Sequence, residues 1–299
     1  MKLIILTATL IASAEIQAKE MALSFDDSPM ATTKHFETNE RTDKLIQKLK
    51  ELNAPSVMIF ANPCKRNESS TVIDQLKKYR AAGHFIGNHT CSHPRLDDVG
   101  FNEYSQNAAQ ADKLLAPLFA GQKFFRFPYL NESKDEKLRD QMRDWLQANH
   151  YRNGLVSIDT DDYLFSFKIN EAKKKGHKID YQKVETLFLE HVIGAVKFYD
   201  ELAVKTIGYS PKHVLLLHEM DATVLYIDSL IKALRTDGWK MISIEKAYQD
   251  KVYLEQPKNI DASNGIIAQI SKEKTGAINN YNSLDKMTYE LDKLLGLAK

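Results

Sequence analysis

The sequence has little of what marks specialised protein classes. It contains two cysteines, Cys64 and Cys91, too few for a disulfide scaffold or a cysteine-based zinc site, and their spacing forms no C-x-x-C motif. Glycine (12) and proline (8) are sparse, which excludes collagen-like and low-complexity chains, and a 43% hydrophobic content excludes a disordered one. Neither sign of charge dominates. With 41 basic residues against 40 acidic ones and no long block of like charge, no nucleic-acid partner is expected. No G-x-G-x-x-G follows the first strand and there is no P-loop, which disfavours a nucleotide-binding sheet. No repeat or linker divides the chain, and no run reaches the length of a membrane span, so no stable membrane insertion is expected.

What is present begins with an export pattern. Met1-Lys2 gives a positive start, Leu3 to Ala14 is apolar or small, and Ile16-Gln17-Ala18 offers a small residue for cleavage. Residues 1–18 therefore read as a signal peptide, and the mature protein as periplasmic or secreted. From Met21 onward short apolar runs alternate with amphipathic ones. Strands are predicted at 21–25, 56–61, 84–89, 123–127, 155–158, 213–217 and 239–244. Helices are predicted at 41–52, 71–82, 102–119, 134–149, 181–204 and 223–235. The strands are short and apolar without alternation, as in a parallel sheet covered on both faces. The fold class is α/β, a distorted (β/α) barrel of about seven βα units, with an open doubly wound sheet as the alternative. One domain is expected over 19–255. Residues 164–178 look like an inserted surface segment. Residues 256–299 turn polar and read as a tail packed on the barrel, ending in a short helix near Leu291 to Leu297.

Unusual polar residues gather just after the predicted strands. Asp26 and Asp27 follow the first, His89 and His93 the third, and Arg126, Pro128 and Tyr129 end the fourth. Asp159 and Asp162 follow the fifth, and His218 the sixth. In a barrel all these ends share one face, where active sites are built. His89 and His93 have the spacing of a zinc-protease pair, but Thr90 stands where that mechanism needs Glu and a strand precedes them. Two imidazoles and a carboxylate would still hold a catalytic cation with open positions; two surface histidines on a loop is the plainer alternative. Of two adjacent aspartates, one can ligate a cation while the other accepts a proton, or Asp27 can simply cap a turn. His218, at the rim of an apolar strand, is either structural or a general acid, and Arg126 and Asp159 are candidates for an ion pair. His35, His84, His150, His177, His191 and His213 fit no constellation. Cys64 and Cys91 lie past neighbouring strands and either pair or remain free thiols.

Taken in order, S-F-D-D-S-P, H-T-C-S-H, R-F-P-Y, D-T-D-D-Y and L-L-H resemble the five motifs of the polysaccharide deacetylase (NodB-homology) family, over roughly Met21 to Tyr248. The resemblance implies a distorted (β/α) barrel and a divalent cation, usually Zn2+, sometimes Co2+ or Ni2+. It also implies hydrolysis of acetyl groups from an acetylated polysaccharide or oligosaccharide such as peptidoglycan or chitin. On that resemblance Asp26 is the catalytic base, and Asp27, His89 and His93 hold the metal. Arg126 orients the base, Asp159 tunes the acid and its surroundings, and His218 protonates the departing amine. The backbone N–H of Tyr129 meets the oxyanion, and Pro128, Tyr163 and Leu216 line the substrate pocket. Two residues depart from the family pattern: Ser28 replaces a glycine and Tyr163 a tryptophan. An acetyl-ester hydrolase on the same site and a non-catalytic carbohydrate-binding barrel are the competing readings.

Overall fold

The computed structural model describes residues 19–65, 69–259, 264–277, 279–281 and 283–298. The predicted signal peptide lies outside the described residues. Strand β1 (Glu20–Ser28) is buried from Met21 to Ser28, which explains why its sequence is apolar on both faces rather than alternating. After it come α1 (Thr38–Glu51), β2 (Met58–Ala61), α2 (Ser69–Ala81), β3 (Phe85–Asn88), α3 (Leu96–Leu115) and β4 (Lys123–Phe125). Next are α4 (Glu136–Ala148), β5 (Tyr151–Asn153), α5 (Tyr163–Lys174), α6 (Tyr181–Ile207), β6 (His213–His218) and α7 (Asp221–Thr236). The chain continues through β7 (Lys240–Met241), α8 (Ile244–Ala247), α9 (Gly265–Thr275) and α10 (Leu284–Leu294). Among the described residues no helix is long and apolar enough to cross a membrane.

The sheet is parallel throughout, in the order β5-β4-β3-β2-β1-β6, with β7 also paired to β1. Its two ends are brought together by the segment after β5. Gly154 N–H donates to Phe125 O (2.6 Å), and four residues later Ile158 bridges Leu215 and accepts from Leu216 N–H (3.0 Å). The sheet therefore curls into the distorted barrel. Residues 155–158, predicted as a full strand, form only this single bridge; the ladder with β4 lies earlier, at Tyr151–Asn153. The displacement has a packing cause. A Cβ on Gly154 would lie 2.4 Å from Phe60 Cζ, and one on Gly87 would lie 2.5 Å from the same ring. Phe60 fills the space between these strands, and only glycine lets the backbone pass it.

Two further expectations need correction. The segment 164–178 is not a surface insertion. Most of it is α5, whose Phe165, Ser166, Ile169 and Ala172 are buried, at helical spacing, while Phe167 points outward. The polar tail carries two helices rather than one, and Ile266, Ile267 and Ile270 of α9 join the main core. Helix boundaries elsewhere follow local chemistry. Asp180 caps α6 by accepting from Lys183 N–H (3.2 Å), and Gly208, left-handed at φ 85°, ends it.

Candidate active site

In a regular strand Asp26 and Asp27 would point to opposite faces. The pairing of β1 with β2 shifts register between Phe25 and Ser28, and Asp27 takes a left-handed conformation (φ 64°). The result brings both carboxylates to one place: His89 Nε2 lies 3.7 Å from Asp26 Oδ2 and 3.9 Å from Asp27 Oδ1. Thr90, His93, Tyr129 and Asp161 also have positive φ, so uncommon backbone gathers in the loops around this point.

The two aspartates have different partners. Asp26 Oδ1 accepts from Arg126 Nη1 (2.6 Å). Arg126 is fixed at every donor nitrogen: Nη1 also donates to Ser24 Oγ (2.9 Å), Nε to Gly154 O (2.7 Å) and Nη2 to the Tyr248 hydroxyl (3.2 Å). Its guanidinium lies 3.9 Å from the centre of the Phe60 ring. The ion pair considered between Arg126 and Asp159 does not form; Asp26 takes its place. Burial pushes the Asp26 carboxyl above the usual carboxylate range even though Arg126 opposes the shift. Burial also opposes ionisation of Asp27, but His93, Lys65 and His218 outweigh it and hold that carboxyl well below the usual range. His93 Nε2 is 3.2 Å and Lys65 Nζ 3.1 Å from Asp27 Oδ1.

His89 follows β3, and its Nδ1 lies 2.8 Å from Arg126 O. A carbonyl accepts only, so Nδ1 carries the proton and Nε2 keeps its lone pair. Burial lowers both imidazoles to about 3, so His89 and His93 are neutral near pH 7, the state a cation requires. The loop is tied by the side-chain amides of Asn62, Asn88 and Asn107. Asn88 Oδ1 accepts from Thr90 N–H (2.8 Å), Asn62 Nδ2 donates to Thr90 O (3.1 Å), and Asn107 Oδ1 accepts from Cys91 N–H (2.7 Å). Cys64 and Cys91 are joined by a disulfide, with Cys64 N–H donating to Cys91 O (2.8 Å).

The donor set fits a divalent cation. Asp27, His89 and His93 each offer a ligand atom, and the three atoms lie within 4.8 Å of one another. Asp27 Oδ1 is buried without a hydrogen-bond partner, although Lys65 approaches it. An anionic oxygen in that state, beside two neutral imidazoles, is the chemistry of a small catalytic metal site.

Beside Asp26, paired with it in register on the neighbouring strand, stands His218. Its partner is Asp162, not Asp159: Nδ1 lies 2.6 Å from Asp162 Oδ1, and His218 N–H donates to Asp162 Oδ2 (2.9 Å). Thr223 Oγ1 donates to the same oxygen (2.7 Å), so Asp162, fully buried, is held at both oxygens. Burial alone would lower the imidazole, but the adjacent Asp162 carboxylate reverses this and lifts it to about 9. Asp159 is pushed up to about 7 by burial and by its neighbour Asp161. The signal for Asp162 was present in D-T-D-D-Y, but sequence could not say which aspartate faces the histidine. Tyr163 packs edge-on to His218 at 5.3 Å between ring centres.

The remaining predicted residues line the rim. Leu216 pairs with Ser24 in register two residues before Asp26 pairs with His218, so it shares their sheet face. Pro128 is buried at the start of a short turn. Tyr129, the next residue, is 49% exposed with its ring 4.6 Å from that of His93 and the Arg95 guanidinium over it at 4.2 Å. A separate cavity of about 510 Å³ lined by Arg143, Arg152 and Tyr253 contains none of these residues.

Residues 14–145, which carry the first three of the five motifs, match the family model described as polysaccharide deacetylase. This region is similar to polysaccharide deacetylase domains. Over 145 residues the chain is 31% identical to a peptidoglycan-N-acetylglucosamine deacetylase of Bacillus cereus, covering 48% of this chain. The match takes in 46% of that protein, so the chain spans about half the length of this curated relative. Among solved structures, the Bc1960 peptidoglycan N-acetylglucosamine deacetylase, in complex with 4-naphthalen-1-yl-N-oxidanyl-benzamide, is similar in fold. It has a TM-score of 0.53 and 24% identity, covering 78% of this chain and 89% of that one. A CE4 family pseudoenzyme from Bacillus anthracis is also similar, with a TM-score of 0.54 and 16% identity, covering 77% of this chain and 66% of that one. These likenesses concern the fold. That a pseudoenzyme shares it leaves the side chains of the site, rather than the barrel, as the evidence for chemistry.

Proposed function

We propose that this chain is an exported, metal-dependent deacetylase that removes N-acetyl groups from GlcNAc-containing polymers of the peptidoglycan or chitin type. The carrying observation is that two proton-handling groups with separate partners end neighbouring strands beside the Asp27–His89–His93 set. Asp26 is locked to Arg126, and His218 to Asp162. Two titratable groups with their affinities set by different partners are the arrangement expected of a base and an acid.

Asp27, His89 and His93 would hold the cation, with Zn2+ the expected ion for one carboxylate and two imidazoles. When bound there, the cation supplies Lewis acidity, polarising the acetyl carbonyl and making water more acidic. Asp26 takes the proton of the attacking water, and its raised affinity makes it a better acceptor than an ordinary carboxylate. Arg126 orients it. The developing oxyanion meets the backbone N–H of Tyr129. His218, charged at neutral pH because of Asp162, gives its proton to the departing amine. An amide nitrogen needs that proton more than an ester oxygen does, which favours the N-deacetylase reading over the acetyl-ester one.

Acetate release from chitooligosaccharide and from acetylated xylan, before and after chelation, tests the proposal. Release from the amino-sugar substrate, lost with chelator and restored by Zn2+, is the expected result. Release from xylan alone would replace it with the ester reading, and release from neither with the binding reading.

A further inference from the structure

A groove of about 670 Å³ opens beside the His218 side of the centre, between α5 and the residues joining β1 to α1. Met220 lines it two residues past His218, and Met30 lines it three residues past Asp27, so it lies on the same end of the barrel. Its walls are tied together. Asn170 of α5 accepts from Lys34 N–H (3.3 Å) and donates to Asp221 (2.6 Å), while Thr33 donates to Asp221 from the opposite side (2.7 Å). The buried pair Arg41–Asp221 (2.7 Å) is thereby neutralised. A groove with walls fixed in this way needs little ordering when it is filled.

Two features distinguish its surface. Phe167 is 54% exposed, and its ring continues an aromatic row in which Tyr163 contacts both it (5.8 Å) and His218 (5.3 Å). An exposed phenylalanine one ring removed from a proposed acid offers an apolar face to the C–H face of a sugar. Lys34 and Lys174 reach the groove from opposite walls, and among the described residues neither ammonium has a carboxylate partner. The opposing charge present is Glu37, exposed and accepting from Thr32 Oγ1 (2.9 Å). Lys173 adds further positive charge behind the wall, where its Nζ meets His35 Nδ1 (3.0 Å).

From this we infer that the groove is a subsite for a carboxylated sugar adjoining the acetylated residue, with Phe167 as the platform and Lys34 and Lys174 as the carboxylate recognition. The inference rests on the deacetylase reading and narrows it to polymers in which amino sugars alternate with acidic units. A lactyl-ether carboxylate and a ring uronate present the same group, and separate arms distinguish them.

The test is calorimetric binding of four oligosaccharides: a tetrasaccharide of N-acetylglucosamine and N-acetylmuramic acid, its carboxyl-reduced form, an oligogalacturonate and chitotetraose. The full chain is expected to bind the carboxylated form about tenfold more tightly than the reduced one, as a charge-assisted contact implies. In the Lys34→Ala/Lys174→Ala double variant that ratio should fall to about one, whereas Phe167→Ala should weaken both forms alike. Equal loss on the oligogalacturonate would assign the carboxylate to the ring; loss confined to the muramyl form would assign it to the ether. A ratio near one in the unaltered chain, or a ratio kept in the double variant, would overturn the subsite. Acetate release from chitotetraose is read separately, so failure of the deacetylase reading is not confused with failure of this one.

Discussion

Asp26 and Asp27 are sequence neighbours in opposite electrostatic settings, and the difference arises from one left-handed residue and one arginine. The same logic holds at His218, where the buried Asp162 carboxylate does most to raise the imidazole, with Asp27 and Asp26 adding to it. If His218 must be protonated and Asp26 ionised, kcat/KM rises with pH as Asp26 loses its proton and falls as His218 loses its own, toward about 9. Replacing Asp162→Asn removes the charge that raises His218 but leaves an acceptor for it. The alkaline limb should then move to lower pH, measured as kcat/KM against pH at fixed metal loading. A limb that stays in place would mean that Asp162 only holds the ring.

At the scale of elements, the ends of β1 and β6 are clamped together by a residue that no motif covers. Glu219, fully buried, donates its N–H to Asp26 O (3.1 Å) and accepts from Thr42 Oγ1 (2.7 Å) and from Ser28 Oγ. Ser28, where the family pattern has glycine, is thus tied to the strand that carries His218. Glu219→Ala strands buried hydroxyls and should cost about 1–3 kcal/mol, read as a lower urea midpoint, while Glu219→Gln should lose less. The alternation of strands and helices was legible because buried parallel strands are uniformly apolar, and the strand-end placement of Asp26, Asp27, His89, His93, Arg126 and His218 was legible with it. What sequence could not show depends on contacts between distant segments. The choice of Asp162 over Asp159 depends on where a loop turns at Asp161, and the position of β5 on Phe60 pressing against Gly154. The buried face of α5 was hidden by its lysines, since apolar residues at 165, 169 and 172 were outnumbered by the polar residues between them. Helix α9 was missed because its isoleucines stand alone in a polar tail and are buried only by the barrel beneath.

For the whole molecule, the proposed export rests on the pattern of residues 1–18, and an oxidising compartment is where a Cys64–Cys91 disulfide would persist. The exported protein is expected to begin at Lys19, as N-terminal sequencing would read; a mature chain that keeps Met1 would remove the basis for export. The central claim is that one aspartate moves a proton and its neighbour holds a metal. The most direct measurement is acetate release and metal content determined on the same preparations of Asp26→Asn and Asp27→Ala. Asp26→Asn is expected to keep its metal while turnover falls by about two to four powers of ten, and Asp27→Ala to lose both. Wild-type turnover in Asp26→Asn, or full metal occupancy in Asp27→Ala, would contradict the account.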